Sequence, residues 1–131
     1  MKEINKVSTG LISFGYDSNY KAVYEKIRMV LGPEAALFAQ VRIADRLVKW
    51  LTSDDSAHYK SLKEAMPEER EILLYIWAQK KQELKSLISR KSPDLENILV
   101  IPDTDFIYYQ EVGSAADIPA HRYRILITGW A

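Results

Sequence analysis

Between positions 67 and 89 the apolar residues recur at steps of three and four. Leu73, Trp77, Leu84, Leu87 and Ile88 fall on one stripe, which Leu74 and Ile76 widen. The spacing predicts one long amphipathic helix. Pro67 suits a first helical turn, where its missing N–H has no intrahelical partner anyway. Glu68, Glu69 and Glu71 stand at the positive end of the helix dipole, and Lys80, Lys81, Lys85, Arg90 and Lys91 crowd the negative end. A helix with such a stripe must bury it, and the strands predicted on either side of it supply the surface.

Upstream, the β-branched and apolar run at 6–14 predicts a first strand. Asp17, Ser18 and Asn19 offer capping oxygens to a helix over 20–31 whose face carries Val23, Ile27, Val30 and Leu31. Gly32-Pro33 closes it, because glycine accepts a left-handed residue and proline cannot continue a helix. Residues 34–52 fit two periods. Leu37, Val41, Ala44, Val48 and Leu51 lie on a helical stripe, yet Val41, Ile43, Val48, Trp50 and Thr52 are strand formers. We favour a hairpin with its turn at Ala44-Asp45-Arg46, its arms alternating Leu37, Ala39, Val41 and Val48, Trp50, Thr52. A polar loop follows at 53–57, and Ser61-Leu62-Lys63-Glu64 has capping-box spacing that predicts a short helical turn.

Downstream, Ser92-Pro93-Asp94 breaks the helical pattern, and a short apolar run at 98–101 stops at Pro102. The segments 106–112 and 123–128 are aromatic, β-branched and bounded by turn residues, so they read as two strands of an antiparallel hairpin joined by the loop 113–120. The fold class is therefore α+β: an antiparallel sheet built from hairpins, with two helices packed on one face.

At 131 residues with 47% hydrophobic content, the chain has the size of one domain, residues 1–131, able to bury a core. Eighteen basic residues balance eighteen acidic ones, so no global field recruits nucleic acid or an anionic membrane. Without cysteine there is no disulfide frame, thiolate metal site or thiol nucleophile, which suits a reducing compartment and is read as cytoplasmic. No apolar run approaches a membrane span, and residues 1–10 lack the apolar core of a signal peptide.

Candidate chemistry is sparse. His58 and His121 have no second histidine at ligand spacing. Asp103-Thr104-Asp105 places two carboxylates together, but without the further oxygens and downstream glutamate of a calcium loop, so a turn after Pro102 accounts for them better. Asp54-Asp55 reads the same way. Ser8-Thr9-Gly10 and Thr128-Gly129 lack phosphate-loop spacing, and no nucleophile has a base in register. Neither a cofactor nor a metal is expected. Of the adjacent Tyr108 and Tyr109, one must look away from the core, because neighbouring strand positions point to opposite faces.

The order GPEAALFAQV, a strand ending in Trp50, a Pro-Glu-Glu helix, VIPDTDFIYYQ and a final ILITGW resembles a small domain of unknown function. That domain stands in the amino-terminal part of bacterial multi-domain, virulence-associated proteins. The resemblance covers most of the chain, and its marks, Trp50 and the strand ending in Trp130, are packing residues that imply no activity. In such domains a glycine and an aromatic residue follow the last tryptophan, whereas Ala131 follows it here.

Three functions stay in play. The leading one is a non-catalytic protein-interaction or scaffold domain, binding a protein partner or downstream domains of its own polypeptide through Tyr108, Tyr109 and Trp130. The second is a small hydrolase or transferase using Asp103, Asp105 and His121. The third is a weak nucleic-acid binder at the basic end of the long helix, although the helix dipole explains the same charges and Glu83 interrupts them. A costly apolar Trp130 so near position 131 leads us to expect an amino-terminal piece of a longer chain.

Overall fold

The computed structural model describes residues 2–8, 16–44, 47–52, 58–99, 101–102, 104–114 and 116–130. In chain order these form β1 (Lys2–Ser8), α1 (Tyr16–Leu31), a 3-10 turn (Gly32–Leu37), β2 (Gln40–Ala44) and β3 (Leu47–Thr52). There follow β4 (Lys60–Ser61), a 3-10 turn (Leu62–Glu64), α2 (Pro67–Lys91) and α3 (Pro93–Ile98). A last 3-10 turn (Thr104–Phe106) leads into β5 (Ile107–Glu111), α4 (Pro119–Arg122) and β6 (Tyr123–Ile127).

The α+β class holds, with the strands divided into two antiparallel three-stranded sheets ordered β1-β3-β2 and β4-β5-β6. One parallel bridge, Phe38 to Ile127, joins them, carried by the Ala39 N–H donating to the Ile127 carbonyl at 2.9 Å. A cluster of buried side chains runs through both sheets and includes Ile27 and Leu31 of α1, Leu73, Trp77, Leu84 and Ile88 of α2, and Leu95 of α3.

Residues 34–52 resolve as the hairpin β2–β3, in register from Gln40 opposite Leu51 to Ala44 opposite Leu47. Its first arm starts later than the alternation predicts, because Leu37 belongs to the 3-10 turn behind Gly32. Gly32 has φ +59, the left-handed closing residue expected of it. The first strand is shifted. Pairing covers Lys2–Ser8, while residues 9–15 and the turn at 45–46 lie outside the described residues. The first helix starts at Tyr16, so Asp17, Ser18 and Asn19 are inside it rather than capping it.

On α2 the stripe holds in most positions: Leu73, Ile76, Trp77, Leu84 and Ile88 are buried and Leu87 is half-buried, whereas Leu74 is 40% exposed. The stripe skips a step where Lys80 sits half-buried. Its ammonium reaches Glu34 at 3.6 Å and Glu83 at 3.3 Å, so the apolar stem packs while the charge ties α2 to the first 3-10 turn.

Ser92 both stops α2 and starts α3. Its Oγ accepts the Leu95 N–H at 3.2 Å and Pro93 takes the first helical position, a helix that the pattern break at 92–94 concealed. Ser61 fails as a cap, for its Oγ is buried without a hydrogen-bond partner and its residue pairs as strand with Tyr108.

Gly129, at φ +67, turns the chain out of β6, and a Cβ there would stand 2.6 Å from Phe106 Cγ. Gly129→Ala should therefore lose at least about 1–2 kcal/mol from the left-handed backbone alone, read by urea denaturation.

Candidate functional site

Two constellations gather polar side chains. The first joins α2 to the β5–β6 hairpin. Tyr109 and Tyr123 are diagonal neighbours across the hairpin, their rings edge-to-face at 5.9 Å. The Tyr109 hydroxyl donates to Glu69 Oε1 at 2.5 Å, and the Tyr123 hydroxyl lies 3.4 Å from Glu69 Oε2. The Arg122 guanidinium stacks 4.9 Å from the Tyr123 ring and meets Glu111 at 3.4 Å. Glu69 belongs to the first turn of α2, where a carboxylate is favoured by the dipole and one residue serves both hydroxyls.

Burial pushes the Tyr109 proton affinity up, and the Glu69 carboxylate that accepts its hydrogen bond pushes it further. Tyr123 is shifted the same way by burial and by the Glu69 charge. Phenols held this firmly protonated, one of them 3% exposed, are anchors and not bases. Their folded-state affinity for the proton exceeds the unfolded one. The stability they contribute is therefore full below about pH 10, the ordinary tyrosine value, and is lost as the pH rises above it. Tyr109→Phe should cost about 1.5–3 kcal/mol near neutral pH, the range for a hydrogen bond to a charged group, and should flatten the alkaline loss of stability. Denaturant midpoints measured from neutral to alkaline pH for both chains check this.

The second constellation is a groove of about 950 Å³ between α1 and β2. Lys21, Tyr24, Glu25, Arg28 and Met29 recur at three- and four-residue steps, which puts them on one face of α1, and Gln40 and Val41 supply the strand side. Pro33, Ala35 and Ala36 of the intervening turn close one end. Met29 is 83% exposed. Arg28 and Glu25 are paired at 3.1 Å on the rim, both largely exposed. Burial raises the Tyr24 proton affinity, against the lowering influence of Arg28 and of the Gln40 side chain.

The strand side of this groove has an open main-chain edge. Ala39 turns both main-chain groups away from β3, its N–H donating to the Ile127 carbonyl and its carbonyl accepting the Trp130 indole N–H at 2.9 Å. Main-chain groups alternate sides along a strand, so Val41 and Ile43 also face away from β3. Among the described residues no strand pairs with that edge beyond Ala39.

The residues predicted from sequence fare unevenly. Trp130 is fully buried, stacked on Tyr24 at 5.9 Å and edge-on to Trp50 at 5.3 Å, and its N–H is satisfied within the chain, so it offers no binding surface. Tyr109 is likewise interior. Tyr108 is the more outward of the tyrosine pair but still half-buried, its proton affinity raised by burial and then by Glu64.

Asp103 lies outside the described residues. Asp105 is exposed beside a hollow lined by Leu74, Trp77, Ala78 and Lys81. His121 is exposed on α4. Asp105 precedes the end of the hairpin where Ile107 pairs with Ile127, and His121 precedes the end where Tyr123 pairs with Glu111. Four strand rises of about 3.3 Å separate those ends, so the hairpin does not bring Asp105 and His121 together. Among the described residues no three histidine or acidic side chains converge as metal ligands would. No described helix is long and apolar enough to cross a membrane.

No family model, curated protein or solved structure matches this chain, so its function is read from its own geometry.

Proposed function

We propose that this chain is a non-catalytic protein-interaction domain whose contact surface is the α1–β2 groove. The observation that carries this reading is the groove's make-up. Exposed Met29 lines it with Val41 and Ala36, a rim ion pair flanks them, and a strand edge that no described strand covers beyond Ala39 forms one wall. Apolar surface with a polar rim is the composition of a protein contact, and methionine adapts to varied partners. The tyrosines with raised proton affinity are held by burial rather than activated, which favours contact over catalysis. Tyr108, at the far sheet, remains at most a peripheral contributor.

A displayed library of random peptides panned against the purified domain tests the reading. Enriched peptides should bind about tenfold more weakly to Met29→Asp, and equally well to Tyr75→Ser on the exposed side of α2. Enrichment of nothing, or of peptides indifferent to Met29, would overturn it.

A further inference from the structure

We infer that the hollow between α2 and the 3-10 turn before β5 binds a small zwitterion with an apolar side chain, a free amino acid or a dipeptide uncapped at both ends. The hollow measures about 490 Å³, inside the range of roughly 300–1,000 Å³ usual for small-molecule sites. It shares no lining residue with the α1–β2 groove, so it stands apart from the interaction reading. One wall is a face of α2, because Leu74, Trp77, Ala78 and Lys81 fall at steps of three and four along the helix. Thr104 and Asp105 of the 3-10 turn supply the other side.

Charge selects the ligand. Lys81 brings a cation to the helix side and Asp105 an anion to the turn side, and among the described residues neither side chain has an ion-pair or hydrogen-bond partner. The adjacent Lys80, by contrast, is tied to Glu34 and Glu83. Since Lys81 and Asp105 line one hollow without closing on each other, a ligand of single charge would be drawn to one and repelled by the other. A zwitterion answers both, its carboxylate meeting Lys81 and its ammonium meeting Asp105. The surface beside these charges is apolar: Leu74 is 40% exposed and Ala78 is exposed, so a ligand side chain resting there takes apolar area out of water. Ion pairs at an open surface are weak, so binding is expected in the millimolar range.

The probes are L-leucine and L-leucyl-L-leucine, titrated against the isotopically labelled domain with the amide shifts of Ala78, Lys81 and Asp105 as readout. At least one should bind, and the tighter of the two tells whether the hollow takes an amino acid or a dipeptide. N-acetyl-leucine keeps only the carboxylate and leucinamide only the ammonium, and each should bind about tenfold more weakly than leucine, as should glycine, which lacks the side chain. The dipeptide capped at either end should lose as much. Lys81→Met and Asp105→Asn preserve the bulk of each side chain, and each should weaken the better probe about fivefold or more while the circular dichroism of the domain stays native. The capped ligands test the same contacts should a variant misfold. No shift with either zwitterion at about 50 mM overturns the inference, as does equal binding by the capped forms or by glycine, or shifts spread over the surface rather than confined to the hollow.

Discussion

Trp130→Ala should destabilise the chain by about 3–5 kcal/mol, the range for emptying a large aromatic site. The indole is 0% exposed and sits where the two sheets meet, in contact with Tyr24 of α1, Phe38 before β2 and Trp50 of β3. Deleting it leaves a cavity that three elements border, and collapse of one would pull on the other two. It also leaves the Ala39 carbonyl without its indole donor, a further penalty of about 1–3 kcal/mol where water cannot enter. Such a loss approaches the whole stability of many domains, so Trp130→Phe provides the graded comparison. Phenylalanine keeps most of the ring contact and none of the hydrogen bond, and should fall between wild type and alanine. Urea denaturation followed by tryptophan fluorescence reads all three chains, since Trp50 and Trp77 are also buried and report the same transition. A loss below about 1 kcal/mol for the alanine variant would mean that the sheets are not joined through this side chain.

The same residue marks where the sequence is legible and where it is not. Its size and its indole N–H announce that Trp130 needs a partner, and a reading confined to local pattern looks for that partner outside the chain. The partner is the carbonyl of Ala39, 91 positions away, and no local period reports such a pairing. Tyr109 is a similar case, because its hydroxyl is satisfied by Glu69, 40 residues earlier. What is local is legible: the stripe of α2, the glycine that closes α1, and the β5–β6 hairpin all follow from spacing and turn chemistry. For residues 34–52 the two periods compete, and the β-branched content decides correctly for the hairpin.

α3 was within reach, since Ser92, Pro93 and Asp94 form a cap, a first-turn proline and a dipole-matched acid as well as a stop for the helix before them. The groove was harder to see. Lys21, Tyr24, Glu25, Arg28 and Met29 do share a helical face in sequence, but it is the polar face, and only the arrival of β2 beside it makes a site.

Trp77→Ala is the second large effect, expected at about 3–5 kcal/mol, and its meaning comes from comparison with Tyr75→Ala. The two residues are two positions apart on α2, about 200° around a helix, so one of them must turn outward. Tyr75 is 64% exposed and its hydroxyl accepts a hydrogen bond from the neighbouring Gln79, whereas Trp77 is 4% exposed in the stripe with Leu73 and Leu84. Truncating Tyr75 should therefore change stability by no more than about 0.5 kcal/mol, as surface substitutions do. The pair isolates orientation from composition, because both changes remove an aromatic ring from the same helix and alter helix propensity similarly. Leu74 sharpens the comparison. The apolar pattern places it beside the stripe, yet it is 40% exposed, and Leu74→Ala should cost less than Leu73→Ala, whose side chain is wholly buried. Equal losses for Trp77 and Tyr75, or a larger loss for Tyr75, would require α2 to be rotated about its axis, and with it Glu69 away from Tyr109 and Lys80 away from Glu34.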